Sequence, residues 1–386
     1  MSTASAAAPA VPKTLAEKSA VRSWRRAGLA ALLLAAVAMP FLVSGYHTFQ
    51  LTIVLVYAIA LLGLNLLTGY NGQISLGHGA FYAIGAYTTA ILTAQFDVPY
   101  WATVPVAGVI CLAVGFLFGL PALRLEGLYL ALATFALALA TPQLLKFKAF
   151  DHWTGGSQGV LVEKPDAPWG LPLTGDQWLY FFCLACAIAL FWAGANLVRG
   201  RTGRAIVAIR DHPTAAEAMG VNIALYKSMT FGVSALYTGV AGALSAVVTG
   251  FVAPDSFPLF LSLSFLVGVV AGGLASISGA VFGAVFIEFV PNLSDEFARN
   301  IPYLAKWVLG YTPNVAEQAA TASQWTIYGL VLIAFMYLMP TGVAGFVRVL
   351  SAALARRRGQ GGLSRGNLNH RNWPGTTGPA NGGGNP

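Results

Sequence analysis

The sequence predicts an all-α, polytopic membrane protein with about ten transmembrane helices. Three observations carry this. Apolar residues make up 56% of the 386 positions and charged residues only 9%, against roughly 25% charged in soluble domains. The apolar residues gather into windows that match the ~20 residues a helix needs to cross a bilayer. The 22 Lys and Arg fall in short runs between those windows. The charge deficit excludes an ordinary soluble enzyme, a disordered chain and a coiled coil. The 43 Gly and 20 Pro suit membrane helices, where both are more frequent than in soluble ones. A net charge of +8 suggests nucleic acid in a soluble chain. Here its placement points to membrane orientation, and membrane lipid rather than nucleic acid is the expected surrounding.

Residues 1–21 are small and polar and read as a flexible tail. Arg22, Arg25 and Arg26 precede the apolar run 27–43. That run lacks a clear small-residue cleavage site and further spans follow at once, so it reads as an uncleaved first helix rather than a signal peptide. The remaining spans are expected at 50–67, 74–94, 101–121, 127–145, 178–198, 224–250, 259–275, 279–293 and 324–345. The membrane domain is therefore 22–348. The tail 349–386, basic and then Gly/Asn/Pro-rich, cannot build a core.

Orientation follows from the basic residues. With the N-terminus inside and ten alternating helices, 17 of the 22 Lys and Arg lie inside. The positive-inside rule then puts both termini in the cytoplasm. Two outside loops are long, 146–177 and 294–323, and loops of that length usually pack on or bind something. The inside loop 199–222 contains two short helical stretches, Ala205–Ile209 and Ala215–Met219, with Pro213 between them as an interruption.

Few residues offer chemistry. The segment 64–87 combines dense glycine with Asn65, Asn71, Gln73, Ser75 and His78. Glycine permits either close helix contact or a broken helix, and a broken helix at membrane depth is tolerated where it is buried or lines a watery path. Asn71, Gln73, Ser75 and His78 are thus candidates to line a substrate path, the alternative being a tight helix contact with its polar groups paired. A weaker echo, Gly273, Ser276, Gly279 and Ala280 against Gly72, Ser75, Gly79 and Ala80, raises an internal repeat. Glu288 is the one acid well inside a span; it is either a functional carboxylate within the membrane or, the favoured reading, the outer end of a short helix. Cys183 and Cys186 form C-x-x-C within an apolar helix and, with Cys111, read as buried small residues without a metal or disulfide role. No Walker A run, H-E-x-x-H or G-x-S-x-G occurs, so no catalytic cluster, nucleotide site or enzyme activity is expected.

Taken in order, GYNGQISLGHGAFYAIGAY, LEGLYLALATFALA, TGGSQGV, GRAIVAIRDHPTAAEAMGVN and AGGLASISGAVFGAV resemble the LivM-type permeases of branched-chain amino-acid ABC importers over roughly residues 45–348. The resemblance implies a multi-pass subunit of a bacterial inner membrane. Its implied partners are a LivH-like permease, two cytoplasmic ATPases that hold the ATP and Mg, and a periplasmic amino-acid-binding protein. This chain would itself bind no cofactor. Ala216, Glu217, Ala218 and Gly220 resemble the coupling loop of ABC permeases, although Gly220 stands closer to Glu217 than in the usual pattern. Arg204–Gly220 is accordingly expected to dock on an ATPase, with Ala205, Ile206, Ile209, Ala215, Ala216 and Met219 as apolar knobs and Arg204, Arg210, Asp211 and Glu217 as a polar rim. Relatives that carry urea or short amides leave the solute open, and an ion-coupled secondary transporter is the alternative class.

Overall fold

The computed structural model describes Gly28 and residues 33–347 apart from 124, 126, 171, 310–315 and 340; at 122, 169, 297–309, 316–325 and 327 only the backbone is described. The expected tails 1–21 and 349–386 lie outside the described residues. The chain divides into a unit ending at Gly345 and a short C-terminal unit of which only 346 and 347 are described.

Ten helices correspond to the ten expected spans. They are α1 (Leu33–Leu42), α2 (Gly45–Leu64), α3 (His78–Phe96), α4 (Tyr100–Ala122), α5 (Leu128–Leu145), α7 (Gly175–Arg199), α10 (Ile223–Thr249), α11 (Leu259–Gly272), α12 (Ile277–Leu309) and α13 (Ala316–Leu338). Between them lie short helices α6 (Asp151–Thr154), α8 (Arg201–Asp211) and α9 (Pro213–Ala218), and the antiparallel strands β1 (Val160–Leu161) and β2 (Phe251–Val252). Among the described residues eight helical segments are long and apolar enough to cross a membrane. The two expected spans not among them are α1, whose described apolar stretch is short, and α3, which carries His78, Thr88, Thr89, Thr93 and Gln95.

One expected span ends far from where hydropathy places it. The helix expected to stop at residue 293 runs on to Leu309. Most of the loop expected at 294–323 is therefore helical, in this helix up to Leu309 and in α13 from Ala316. Pro291 sits within this helix without ending it, because neighbouring turns can supply the lost hydrogen bonds of a membrane helix. Beyond residue 293 the apolar residues keep helical spacing among charged ones, so the turns continue after the uniformly apolar run is over. The same continuation removes the helix end expected at Glu288. That residue lies about 16 Å along α12 from its start, near the middle of a ~30 Å apolar layer.

The centre is built by α2 and α10, which bury most of their length, while α5, α7 and α13 turn most of theirs outward. α10 packs chiefly on α4, α3 and α2. Its small residues make this possible. A Cβ on Gly242 would overlap the Tyr82 carbonyl oxygen, and one on Gly85 would overlap that of Gly239. Without a hydrophobic drive between helices in lipid, such backbone-to-backbone approach is what binds them. Large side chains fill the rest: Ile59, Leu61, Leu62, Leu64 and Phe265 are fully buried in one core, and Phe81 and Phe231 in a smaller one.

The connections sort into two ends. At one end Gly69, Gly72, Leu125, Arg210 and Lys227 lie together. At the other, β1 pairs with β2 with Val160 opposite Val252, Lys146 meets Asp255, Gln95 Nε2 donates to the His152 carbonyl at 2.7 Å, and Phe96 stacks on Trp153. The expected long loop 146–177 is thus tied to the 250–258 connection. This pairing of ends agrees with strict alternation of the helices, and the first end carries Arg199, Arg201, Arg204, Arg210 and Lys227.

Candidate functional site

At the basic end, α2 does not run straight into a loop. Its last turn widens into a π-helical turn, Asn65–Tyr70, a rare feature that collects at functional sites. Gly72 follows at φ +75°, and the chain crosses to α3 through residues without regular structure. The turn is closed by the Gln73 amide donating to the Leu67 carbonyl at 3.2 Å and by Thr68 Oγ1 donating to the Gln73 carbonyl at 3.0 Å. Thr134 of α5 accepts the Leu76 amide on its Oγ1 at 2.9 Å.

The structure divides the four path candidates into two pairs. Ser75 and His78 are interior. Ser75 Oγ lies 3.0 Å from His78 Nδ1, His78 Nε2 lies 2.6 Å from Ser234 Oγ, and Ser234 donates to the Gly63 carbonyl at 2.6 Å. This chain of polar groups joins α2, α3 and α10, with Phe81 edge-on to the imidazole and Phe231 tilted against it. Asn71 and Gln73 instead border a cleft of about 180 Å³ with Gly72, Ile209, Arg210 and Lys227. Asn71 Nδ2 donates to Gln73 Oε1 at 3.1 Å, while Asn71 Oδ1 is buried without a donor from the protein.

The weak internal echo has a structural counterpart. The 273–276 connection between α11 and α12 also opens on a glycine at positive φ, Gly273 at +114°. Ser276 Oγ accepts the Gly279 amide at 3.3 Å, much as Ser75 Oγ accepts the Gly77 amide at 3.3 Å. Asn65, fully buried, bridges the two breaks. Its Nδ2 donates to the Ser276 carbonyl at 2.8 Å and its Oδ1 accepts the Ala275 amide at 2.9 Å. Ser262 of α11 accepts the Gly79 amide at 2.9 Å, a second tie.

The loop 199–222 folds as the expected helix pair, with Pro213 at the first turn of α9, where its missing N–H costs nothing. Its apolar residues divide, however. Ile206, Ile209 and Ala216 are buried against the protein's own helices, whereas Met219 is 86% exposed. Arg204, Asp211, Glu217 and Gly220 are exposed. Glu217, Gly220 and Lys227 border an open cleft of about 570 Å³ beside α10. Arg210, also exposed, reaches back to the π-turn: its Nη1 donates to the Gly69 carbonyl at 2.9 Å and its Nε to Asp211 Oδ1 at 2.9 Å. Its side chain stays partly exposed, so it stands on the outward face with Arg204, Asp211 and Glu217 while its Nη1 is held by Gly69.

Sequence reasoning missed a cavity of about 350 Å³ at the opposite end, lined by Tyr57, Tyr82, Phe257, Ile53 and Leu261 with the hydroxyls of Ser245, Thr249 and Ser256. It is apolar with a few polar groups and in the size range of small-molecule sites. Its residues come from α2, α3, α10, β2, the 253–258 connection and α11, so no local pattern marks it. The only signal was that Tyr57, Tyr82 and Phe257 fall in or beside spans of small residues.

Residues 47–336 match the family model described as branched-chain amino acid transport system / permease component. The chain is 34% identical over 294 residues to the high-affinity branched-chain amino acid transport system permease protein LivM of Escherichia coli, covering 70% of this chain and 68% of that one. It is 33% identical over the same shares to LivM of Salmonella typhimurium. LivH of Escherichia coli is 22% identical over 307 residues, 75% of this chain and 91% of that one. No solved structure matches.

Proposed function

From the membership of this chain in the branched-chain amino-acid transport permease family, we propose that it is one of two permeases lining the route of an ABC importer for branched-chain amino acids. The match to LivM over most of the chain is the observation that carries this reading. A LivH-like permease is the partner, two cytoplasmic ATPases supply the energy, and a periplasmic binding protein delivers the solute. The basic end with α8 and α9 faces the cytoplasm and the β1–β2 end faces the binding protein.

The route begins in the 350 Å³ cavity. Its aromatic and aliphatic wall suits a branched side chain, and the hydroxyls of Ser245, Thr249 and Ser256 suit the charged end. Burying one such side chain contributes about 1.5–3 kcal/mol, below the roughly 4 kcal/mol of a millimolar Kd. Weak holding is what a permease requires when a separate protein captures the solute. At the inner end Asn71 Oδ1 is an acceptor left for a passing ammonium. Between these two regions His78, Ser75 and Ser234 hold the helices that must shift.

Two measurements test this. Cysteines introduced at the exposed Ser157 and Thr202 should label from opposite membrane faces, with Thr202 on the cytoplasmic one; labelling from one face removes the assigned topology. In proteoliposomes holding both permeases and the ATPases, labelled leucine, isoleucine or valine should accumulate only with ATP. Ser245→Phe, which fills the cavity from its wall, should cut that uptake at least about tenfold. Uptake driven by an ion gradient without ATP, or a Ser245→Phe variant at the normal rate, overturns the reading. Urea and short amides in the same assay decide the solute class.

A further inference from the structure

We propose that Arg210 is a positioning residue that fastens the cytoplasmic helix pair to the π-turn, so that α8 and residues 65–76 move as one body and hand that movement through Asn65 to the α11–α12 break. The proposal rests on the reading that ATPases dock on α8 and α9, and it goes beyond that reading in naming how the movement enters the membrane.

Arg210 sits in the last turn of α8, whose Ile206 and Ile209 are buried against the protein. Its guanidinium is aimed by Asp211 on one side and donates to the Gly69 carbonyl on the other. Its stem lies over Gly72, where an added Cβ would come within 2.8 Å of Arg210 Cγ. Any larger residue at 72 would displace the arginine. Gly69 in turn backs directly onto the backbone of Ala275. One turn before it, Asn65 holds both the Ala275 amide and the Ser276 carbonyl. Three elements far apart in sequence are thus joined by directional bonds at one membrane face. A charge-assisted hydrogen bond from a planar fork transmits direction as well as attraction. Lysine has donors enough but no planar fork, so its flexible stem would not hold Asp211 and Gly69 in one fixed geometry. The π-turn is the natural place for such an attachment, since its widened ring leaves carbonyls poorly matched within the helix.

The test uses the complete importer in proteoliposomes and reads uptake and ATP hydrolysis together. Arg210→Gln should lower uptake about tenfold while hydrolysis persists, so that more ATP is consumed per solute moved; Arg210→Lys should recover little. A loss confined to folding would lower both in proportion. The pair Gly72→Cys/Arg210→Cys then replaces the ionic link by a covalent one. The Cβ positions lie 3.6 Å apart, within the ~3.5–4.5 Å of disulfides. Oxidation should raise uptake of the double variant at least about fivefold over its own reduced form, whereas Arg210→Cys and Gly72→Cys alone, each without the link, should not respond. The cross-link should form equally in nucleotide-free and ATP-trapped membranes. Normal uptake per ATP in Arg210→Gln, no gain on oxidation, or a cross-link confined to one state overturns the proposal. A wild-type importer that moves solute without ATP removes the docking reading beneath it, a different failure seen before any variant is made.

Discussion

Gly242→Val is expected to remove nearly all folded permease from the membrane. Gly242 lies where α10 crosses α3, and a Cβ there would overlap the carbonyl oxygen of Tyr82. The obstruction is backbone, so no rotamer change relieves it. The two helices must separate or slide, and α10 is the helix on which α2, α3 and α4 all pack. Overpacking a core usually costs about 1–3 kcal/mol. A β-branched residue between two backbones falls at or above the top of that range, more than about a hundredfold in folded fraction at ~1.4 kcal/mol per decade. The measurement is the monodisperse yield and unfolding temperature of detergent-solubilised protein. Gly329→Val is the comparison, because nothing lies within 4 Å of a Cβ at Gly329. Equal yields and unfolding temperatures for the two variants would contradict the packing described.

Asn65→Leu is the second large effect, and it acts on function as well as stability. Asn65 is fully buried and satisfies two backbone groups of the α11–α12 break. Leucine has nearly the same size but neither donor nor acceptor. The Ala275 amide and Ser276 carbonyl would be left without partners, each at about 1–3 kcal/mol. Polar contacts among membrane helices are often worth less than that, because unfolded segments in lipid also find partners. We therefore expect a loss of about 2–4 kcal/mol in stability. Uptake should fall to background even in the fraction that remains folded, since the two breaks no longer move together. A variant with wild-type uptake and unfolding temperature would show that the bridge is dispensable.

Much of the architecture was legible before any coordinates, and the reason is specific to membranes. A chain in lipid must satisfy its backbone within each segment, so every crossing leaves a continuous apolar helix in the sequence. The spans around 101–121 and 224–250 differ from α4 and α10 by a few residues only. The α8–α9 pair was legible too, because Pro213 marks its joint. α12 was misjudged because its later turns are amphipathic, and hydropathy alone reports the end of the apolar run rather than the end of the helix.

The site was legible in part. Polar residues among dense glycines marked 64–78 as unusual, and the structure gives that segment a π-turn and a break. The direction of each side chain was beyond the sequence. Asn71 and His78 look alike as polar residues in an apolar stretch, yet one borders a cleft and the other is locked between Ser75 and Ser234. Arg210 reads as one more inside charge, whereas in the fold it reaches a carbonyl 141 positions away. The sequence by itself determined the helical class, the alternation of the spans and the basic face, because those depend on how each segment partitions between lipid and water. Only the tertiary structure decided which polar groups meet, where the 350 Å³ cavity opens and which face of α8 is free, because those depend on how helices distant in the chain rotate and cross to bury their small residues.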